Sequence, residues 1–153
     1  MKIALGTDHA GFALKSAIAA TIERDGNRLI DCGAVALDPT DDYPVFAERV
    51  ALKVQSGEAD RGVVLCGSGV GASVAANKVR GVRAALCHDT FSAHQGVEDD
   101  DMNVLCIGAR VVGPSLATEL VSTFLGAKFS GAERHRRRLE MVKAIEATLF
   151  REP

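Results

Sequence analysis

Short runs of β-branched and other apolar residues alternate along this chain with longer stretches in which apolar residues return at the three- and four-residue spacing of a helix face. The short runs, residues 2–6, 28–32, 62–66, 83–87 and 103–107, predict five strands. Residues 12–24, 44–55, 70–79, 91 to about 98 and 115–125 predict the helices between them. Such alternation implies a parallel sheet with helices on both faces, an α/β fold. A last helix over 133–150 has no strand after it. Leu139, Val142, Ile145, Ala147 and Leu149 give it an apolar side that must dock on the sheet or on another subunit. No repeat and no long linker interrupts the 153 residues, so one domain over 1–153 is expected. Ligands of a parallel sheet bind beyond the carboxyl ends of its strands. Chemistry is therefore expected in the loops after Leu5, Cys32, Cys66, Cys87 and Ile107.

Composition narrows the partners. Apolar residues make up 47% of the chain and charged ones 25%, with no apolar run near the ~20 residues of a membrane helix. The apolar start Met1-Lys2-Ile3-Ala4-Leu5 is too short for a leader and meets polar Thr7-Asp8-His9, so a cytoplasmic chain beginning at Met1 is expected. Cys32, Cys66, Cys87 and Cys106 lack C-x-x-C spacing, which speaks against both a disulfide framework and a zinc knuckle. A net charge of -2 offers no broad positive field for nucleic acid. Any anion bound here should be small and locally held.

The third strand runs into Cys66-Gly67-Ser68-Gly69-Val70-Gly71-Ala72-Ser73 and then a helix. Glycines let such a loop aim several N–H groups at one point, where negative charge is favoured. The same residues satisfy G-x-G-x-x-G/A, and Asp89 after the next strand offers a ribose-binding carboxylate, so a nucleotide-binding or regulatory module is the alternative reading. A thiol at Cys66, beside a helix start, can be activated as a base; it reads equally as a small buried hydrophobe, as do Cys32, Cys87 and Cys106. Ser68 is either a proton-shuttling hydroxyl or a loop residue bonding its own backbone.

Asp8 and His9 follow the first strand on the same ligand edge, although Asp8 also reads as a helix cap and His9 as a surface imidazole. Arg134, Arg137 and Arg138 share one face at the start of the last helix, where positive charge is unfavourable by about 0.3–1 kcal/mol per group. That pattern suits an anion held by guanidinium forks, against a solvated basic turn paired with Glu133 and Glu140. Glu98-Asp99-Asp100-Asp101 reads as a solvated loop, with no metal assigned. Asn103 and Arg110 flank the fifth strand and can face the same ligand edge, although either also reads as a residue that orders a loop.

Taken together, Gly6-Thr7-Asp8-His9-Ala10-Gly11-Phe12, Asp42-Tyr43-Pro44, the glycine loop, Ala75-Ala76-Asn77-Lys78, Asn103-Val104-Leu105, the segment 108–113 and Arg134-His135 resemble the type B ribose-5-phosphate isomerases and the galactose-6-phosphate isomerase subunits over nearly the whole chain. The resemblance implies a Rossmann-like three-layer α/β/α sandwich and a cofactor-independent aldose-ketose isomerase working through an enediolate. It also implies a homo-oligomer, dimer or tetramer, whose active sites are shared between subunits. Cys66 would move the proton between C1 and C2, and Ser68 would help protons pass between O1 and O2. The loop residues Gly67, Gly69, Gly71 and Ala72 would hold the enediolate, Asp8 and Tyr43 would lie at the sugar, and His9, Arg134 and Arg138 would bind phosphate, helped by Arg110. Ribose 5-phosphate and ribulose 5-phosphate are the default substrates. One departure matters: Asp99 stands where such isomerases carry a ring-opening histidine. Either His94, His88 or water replaces it, or the substrate is one that forms no furanose ring, such as a tetrose 4-phosphate; Asp99 would alternatively recognise a sugar hydroxyl.

Overall fold

A computed structural model describes residues 1–149; Phe150, the expected end of the last helix, lies outside the described residues. Five strands, β1 Lys2–Thr7, β2 Arg28–Asp31, β3 Arg61–Cys66, β4 Ala84–Leu86 and β5 Val104–Gly108, form one parallel sheet in the order β2-β1-β3-β5-β4. The helices are α1 Phe12–Arg24, α2 Tyr43–Gln55, α3 Val70–Ala76, α4 Thr90–Asp100, α5 Pro114–Gly126 and α6 Glu133–Leu149. Registers such as Leu5 opposite Val63 and Val63 opposite Leu105 align the three central strands, so their carboxyl ends finish side by side.

Strand alternation sorts the core into two layers. Ile3, Leu5, Val63, Leu65, Leu105 and Ile107 face one side, where Leu14, Ile18 and Ile22 of α1 and Leu120, Val121 and Phe124 of α5 close over them together with α4. The opposite face carries smaller side chains, Ala4, Val64, Cys66, Val104 and Cys106, against Ala47, Val50 and Ala51 of α2 and Ala72 and Ala76 of α3. Small residues bring α2 close to the sheet. A Cβ on Gly6 would lie 2.7 Å from Val50 Cγ2 and 3.0 Å from the Phe46 carbonyl oxygen, so no side chain fits between strand and helix there.

Several ends differ from the pattern for local reasons. Helix α3 stops at Ala76 rather than 79, because the Asn77 amide bonds Ser73 O at 2.9 Å and both the N–H and the O of Ala84, tying the chain to the start of β4. Helix α4 runs on to Asp100, where Asp101 closes it in a left-handed turn (φ 52°). The acidic run is therefore a helix end with paired side chains and not a solvated loop: Asp101 meets Arg83 at 2.7 Å and Glu98 meets His94 at 3.3 Å. Helix α6 buries His135 and Leu139 beside α4, while Met141, Val142 and Ile145 remain exposed.

Candidate active site

The loops after β1, β3 and β5 meet because those strands are neighbours. Their junction is a cavity of about 360 Å³ lined by Asp8, His9, Ala10, Tyr43, Cys66, Gly67, Ser68, Gly71, Arg110 and Val111. Backbone bonds fix the loops to one another: Asp8 N–H reaches Leu65 O, Ala109 N–H donates to Cys66 O at 2.8 Å and Arg110 N–H to Gly67 O at 3.0 Å. Gly69 takes φ 79°, a left-handed turn that favours glycine and swings its N–H back onto Cys66 Sγ at 3.1 Å. Val70 N–H is satisfied by Ser68 Oγ at 3.3 Å. The first backbone bond closing α3 runs from Ser73 N–H to Gly69 O, which leaves the N–H groups of Gly71 and Ala72 without a partner inside the helix. Cys66 is otherwise nearly enclosed, at 4% exposure.

The remaining thiols occupy different surroundings. Cys87 and Cys106 are buried, and burial pushes Cys87 up to about 11 and Cys106 higher still; Cys32 is half-buried and also raised by burial. Among the described residues, Cys66 is the cysteine whose sulfur accepts a backbone N–H.

On the β1 side, Asp8 is buried and its Oδ1 accepts the Gly11 N–H at 2.9 Å, so it closes the turn into α1 while facing the cavity. His9 is gripped by Asp41, a residue the sequence pattern did not single out: Asp41 Oδ1 lies 2.6 Å from the imidazole Nδ1 and accepts the His9 N–H at 3.0 Å. Its other oxygen is buried without a hydrogen-bond partner. That hydrogen bond to Asp41 raises the His9 pKa, burial opposes it and the Asp8 carboxylate adds to it. Candidate ligand atoms of Asp8, His9 and Asp41 fall within 4.8 Å of one another, but the grouping is largely engaged with itself and with Gly11 N–H. The aromatic ring of Tyr43, first residue of α2, covers Gly71 so closely that a Cβ there would stand 2.6 Å from Tyr43 Cζ. Arg110 faces the cavity with no carboxylate partner among the described residues.

From residue 3 to residue 142 the sequence matches the model of a family described as Ribose/Galactose Isomerase. The chain belongs to that family. Ribose-5-phosphate isomerase B of Escherichia coli is 47% identical over 145 residues, covering 95% of this chain and 96% of that one. D-erythrulose-4-phosphate isomerase 2 of Mycolicibacterium smegmatis is 44% identical over 131 residues, 84% of this chain and 86% of that one. The structure of Clostridium thermocellum ribose-5-phosphate isomerase B superposes with a TM-score of 0.93 at 45% identity, covering 97% and 99% of the two chains. The protein is thus an isomerase on a three-layer α/β/α sandwich.

Six expected site residues of this isomerase do not line the cavity within the chain: Gly69 and Ala72 lie just behind its glycine-loop wall, Ala72 fully buried, and Asn103, Asp99, Arg134 and Arg138 lie elsewhere. Asn103 precedes β5 and so stands at the amino end of the sheet, opposite the ligand edge. Its side chain accepts Arg83 N–H at 2.7 Å and donates to Gly81 O at 2.9 Å, ordering the approach to β4. The expectation that it shares an edge with Arg110 is corrected on that ground. Asp99 faces α6: its Oδ2 accepts from Gln95 Nε2 at 2.7 Å and its Oδ1 lies 3.3 Å from His135 Nδ1. Arg134 and Arg138 project from α6, exposed. Neither they nor Arg136 and Arg137 pair with a carboxylate among the described residues; Glu140 pairs with Lys143 instead. Asp89, the carboxylate of the nucleotide alternative, caps α4 by accepting the Ser92 N–H at 2.7 Å.

Proposed function

We propose that this isomerase interconverts ribose 5-phosphate and ribulose 5-phosphate without a cofactor, with Cys66 as the group that carries the proton between C1 and C2. The observation that carries the reading is the Gly69 N–H directed at Cys66 Sγ, the one of the four thiols that lies on the cavity wall. Proton removal from C1 leaves an enediolate, whose oxygens can be met by the free N–H group of Gly71 on the cavity wall and by Ser68 Oγ as the shuttle between O1 and O2. Asp8 lies where it accepts from a sugar hydroxyl, Tyr43 walls the pocket, and His9 with Arg110 supplies positive charge for the phosphate.

Arg134 and Arg138 complete the phosphate site when a second copy of the chain presents them, so the working unit is at least a dimer with shared sites. Arginines on α6 without a carboxylate partner among the described residues, and exposed apolar side chains such as Val70, Val74 and Phe91, support that assembly. Residues 1–153 act as one catalytic domain. No helix among the described residues is long and apolar enough to cross a membrane, and four unbridged thiols suit the reducing cytoplasm we assign to it.

One observation favours a second reading, a tetrose 4-phosphate pair. The Asp99 carboxylate is turned to Gln95 and His135, and as an anion it has no proton to give a ring oxygen. His88 does not substitute through Nε2, which accepts the Gly108 N–H at 2.9 Å. An open-chain tetrose 4-phosphate needs no ring opening. The deciding experiment offers tetrose, pentose and hexose phosphates to the purified protein without added cofactor. Turnover of the pentose pair, lost by roughly 10²-fold or more in Cys66→Ala, is the expected result. Preference for the tetrose pair moves the substrate, and inactivity with saturable nucleotide binding overturns the isomerase reading of this cavity.

A further inference from the structure

The loop leading into α6 and the carboxyl end of α4 enclose one buried imidazole. His135 is 4% exposed and is held from three directions. Ser130 Oγ stands 2.6 Å from its Nδ1, Asp99 Oδ1 stands 3.3 Å from the same nitrogen, and Arg134 Nε donates to its Nε2 at 2.8 Å. The enclosure is itself braced: Gln95 Nε2 holds the other Asp99 oxygen, and Ser130 N–H bonds Glu98 O at 3.0 Å.

These contacts define where the proton sits. An arginine Nε–H only donates, so Nε2 of His135 must present a lone pair, and the neutral ring then carries its proton on Nδ1. Ser130 by itself leaves the matter open, since a hydroxyl donates or accepts equally well. An ionised carboxylate only accepts, and a lone pair on Nδ1 facing Asp99 would be repelled. Asp99 therefore favours, independently of Arg134, the Nδ1–H tautomer that leaves Nε2 free to accept from Arg134 Nε–H on the far side of the ring.

We infer that Asp99 is a positioning residue: through His135 it fixes the guanidinium fork of Arg134 toward the substrate phosphate, and it takes no part in proton transfer to the sugar. The inference rests on the isomerase reading for the role of Arg134. It gives the departure at position 99 a function of its own, in that a carboxylate there orders phosphate recognition rather than opening a ring. A fork held in one orientation loses less rotamer freedom when it grips phosphate, which lowers KM more than it raises kcat.

The test has a spectroscopic arm and a kinetic arm. Nitrogen-15 NMR of the imidazoles in the full chain, without substrate, is expected to show His135 neutral with its proton on Nδ1, and a mixture of tautomers in Asp99→Asn, which keeps the shape but gives up the obligatory acceptor. On the sugar phosphate that the panel shows to turn over, Asp99→Asn and Asp99→Ala are expected to raise KM roughly three- to tenfold, with most of the loss in kcat/KM carried by KM. In an Arg134→Ala background the same substitutions should add almost nothing. Multiplying effects in the double variants, or a fall in kcat at constant KM, would place Asp99 at the sugar and overturn the inference. A proton found on Nε2 overturns it as well. If no sugar phosphate turns over, the isomerase reading fails by itself, and the NMR arm still decides whether Asp99 sets the His135 proton.

Discussion

His9 shows how one side chain's setting becomes a pH dependence. Its hydrogen bond to Asp41 raises its pKa, burial works against that rise, and Asp8 reinforces it; Arg110 faces the same cavity from the β5 side. Because the folded value lies above the unfolded one of about 6.5, the pair's contribution to stability is fully present below that pH and is lost as pH rises through the raised value. The proposed binding of phosphate by the imidazolium follows the same window. KM for the sugar phosphate should therefore stay low past about pH 6.5, the ordinary imidazole value, and climb as His9 loses its proton. In Asp41→Asn the climb should begin at lower pH, which KM measured from about pH 5 to about pH 9 will show. An unmoved profile would mean that His9 does not hold the phosphate. Asp41 could not be found by periodicity, since it sits in an irregular loop and reaches His9 only because β1 and β2 are paired.

At the level of elements, two glycines on either side of α2 make different demands. Gly6 lies under the helix, and a Cβ there meets Val50 and the Phe46 backbone, so Gly6→Ala should cost about 1–3 kcal/mol in denaturant unfolding. Gly71 lies against the Tyr43 ring, which is 40% exposed and can swing aside. Gly71→Ala should therefore leave the melting temperature within a few degrees of the parent and lower kcat/KM on the sugar phosphate about tenfold, by displacing the cavity wall and an N–H donor beside it. Equal losses of stability in both variants would refute the distinction. The three central strands were legible, because β1, β3 and β5 fill both core layers and so read as nearly continuous apolar runs. The glycine loop was legible too, since its backbone needs glycine. Helix α3 was read three residues too long because its stop is a side-chain bond from Asn77 to β4, a tertiary contact that local spacing does not carry.

For the molecule as a whole, strand order decides which motifs meet. Placing β1, β3 and β5 together gathers Asp8, Cys66 and Arg110, whereas Asn103, at the other end of β5, was misread because adjacency to a strand does not tell which of its ends faces ligand. Arg134 and Arg138 lie apart from the cavity in the same chain, and the proposed assembly makes a prediction about mixtures. Cys66→Ala and Arg134→Ala proteins, each poorly active, should recover activity when their subunits exchange, approaching roughly a quarter of the wild-type sites in a statistical dimer. No recovery, with exchange verified by mass, would place the complete site in one chain. The tight seat of α2 on β1 carries a wider implication. The helix that lies against the bare strand also begins with the ring that walls the cavity, so its height above the sheet helps set the width of the mouth. Lineages that thicken this interior would alter the size of sugar they admit, and appetite for a new substrate could arise from a methyl group far from the chemistry.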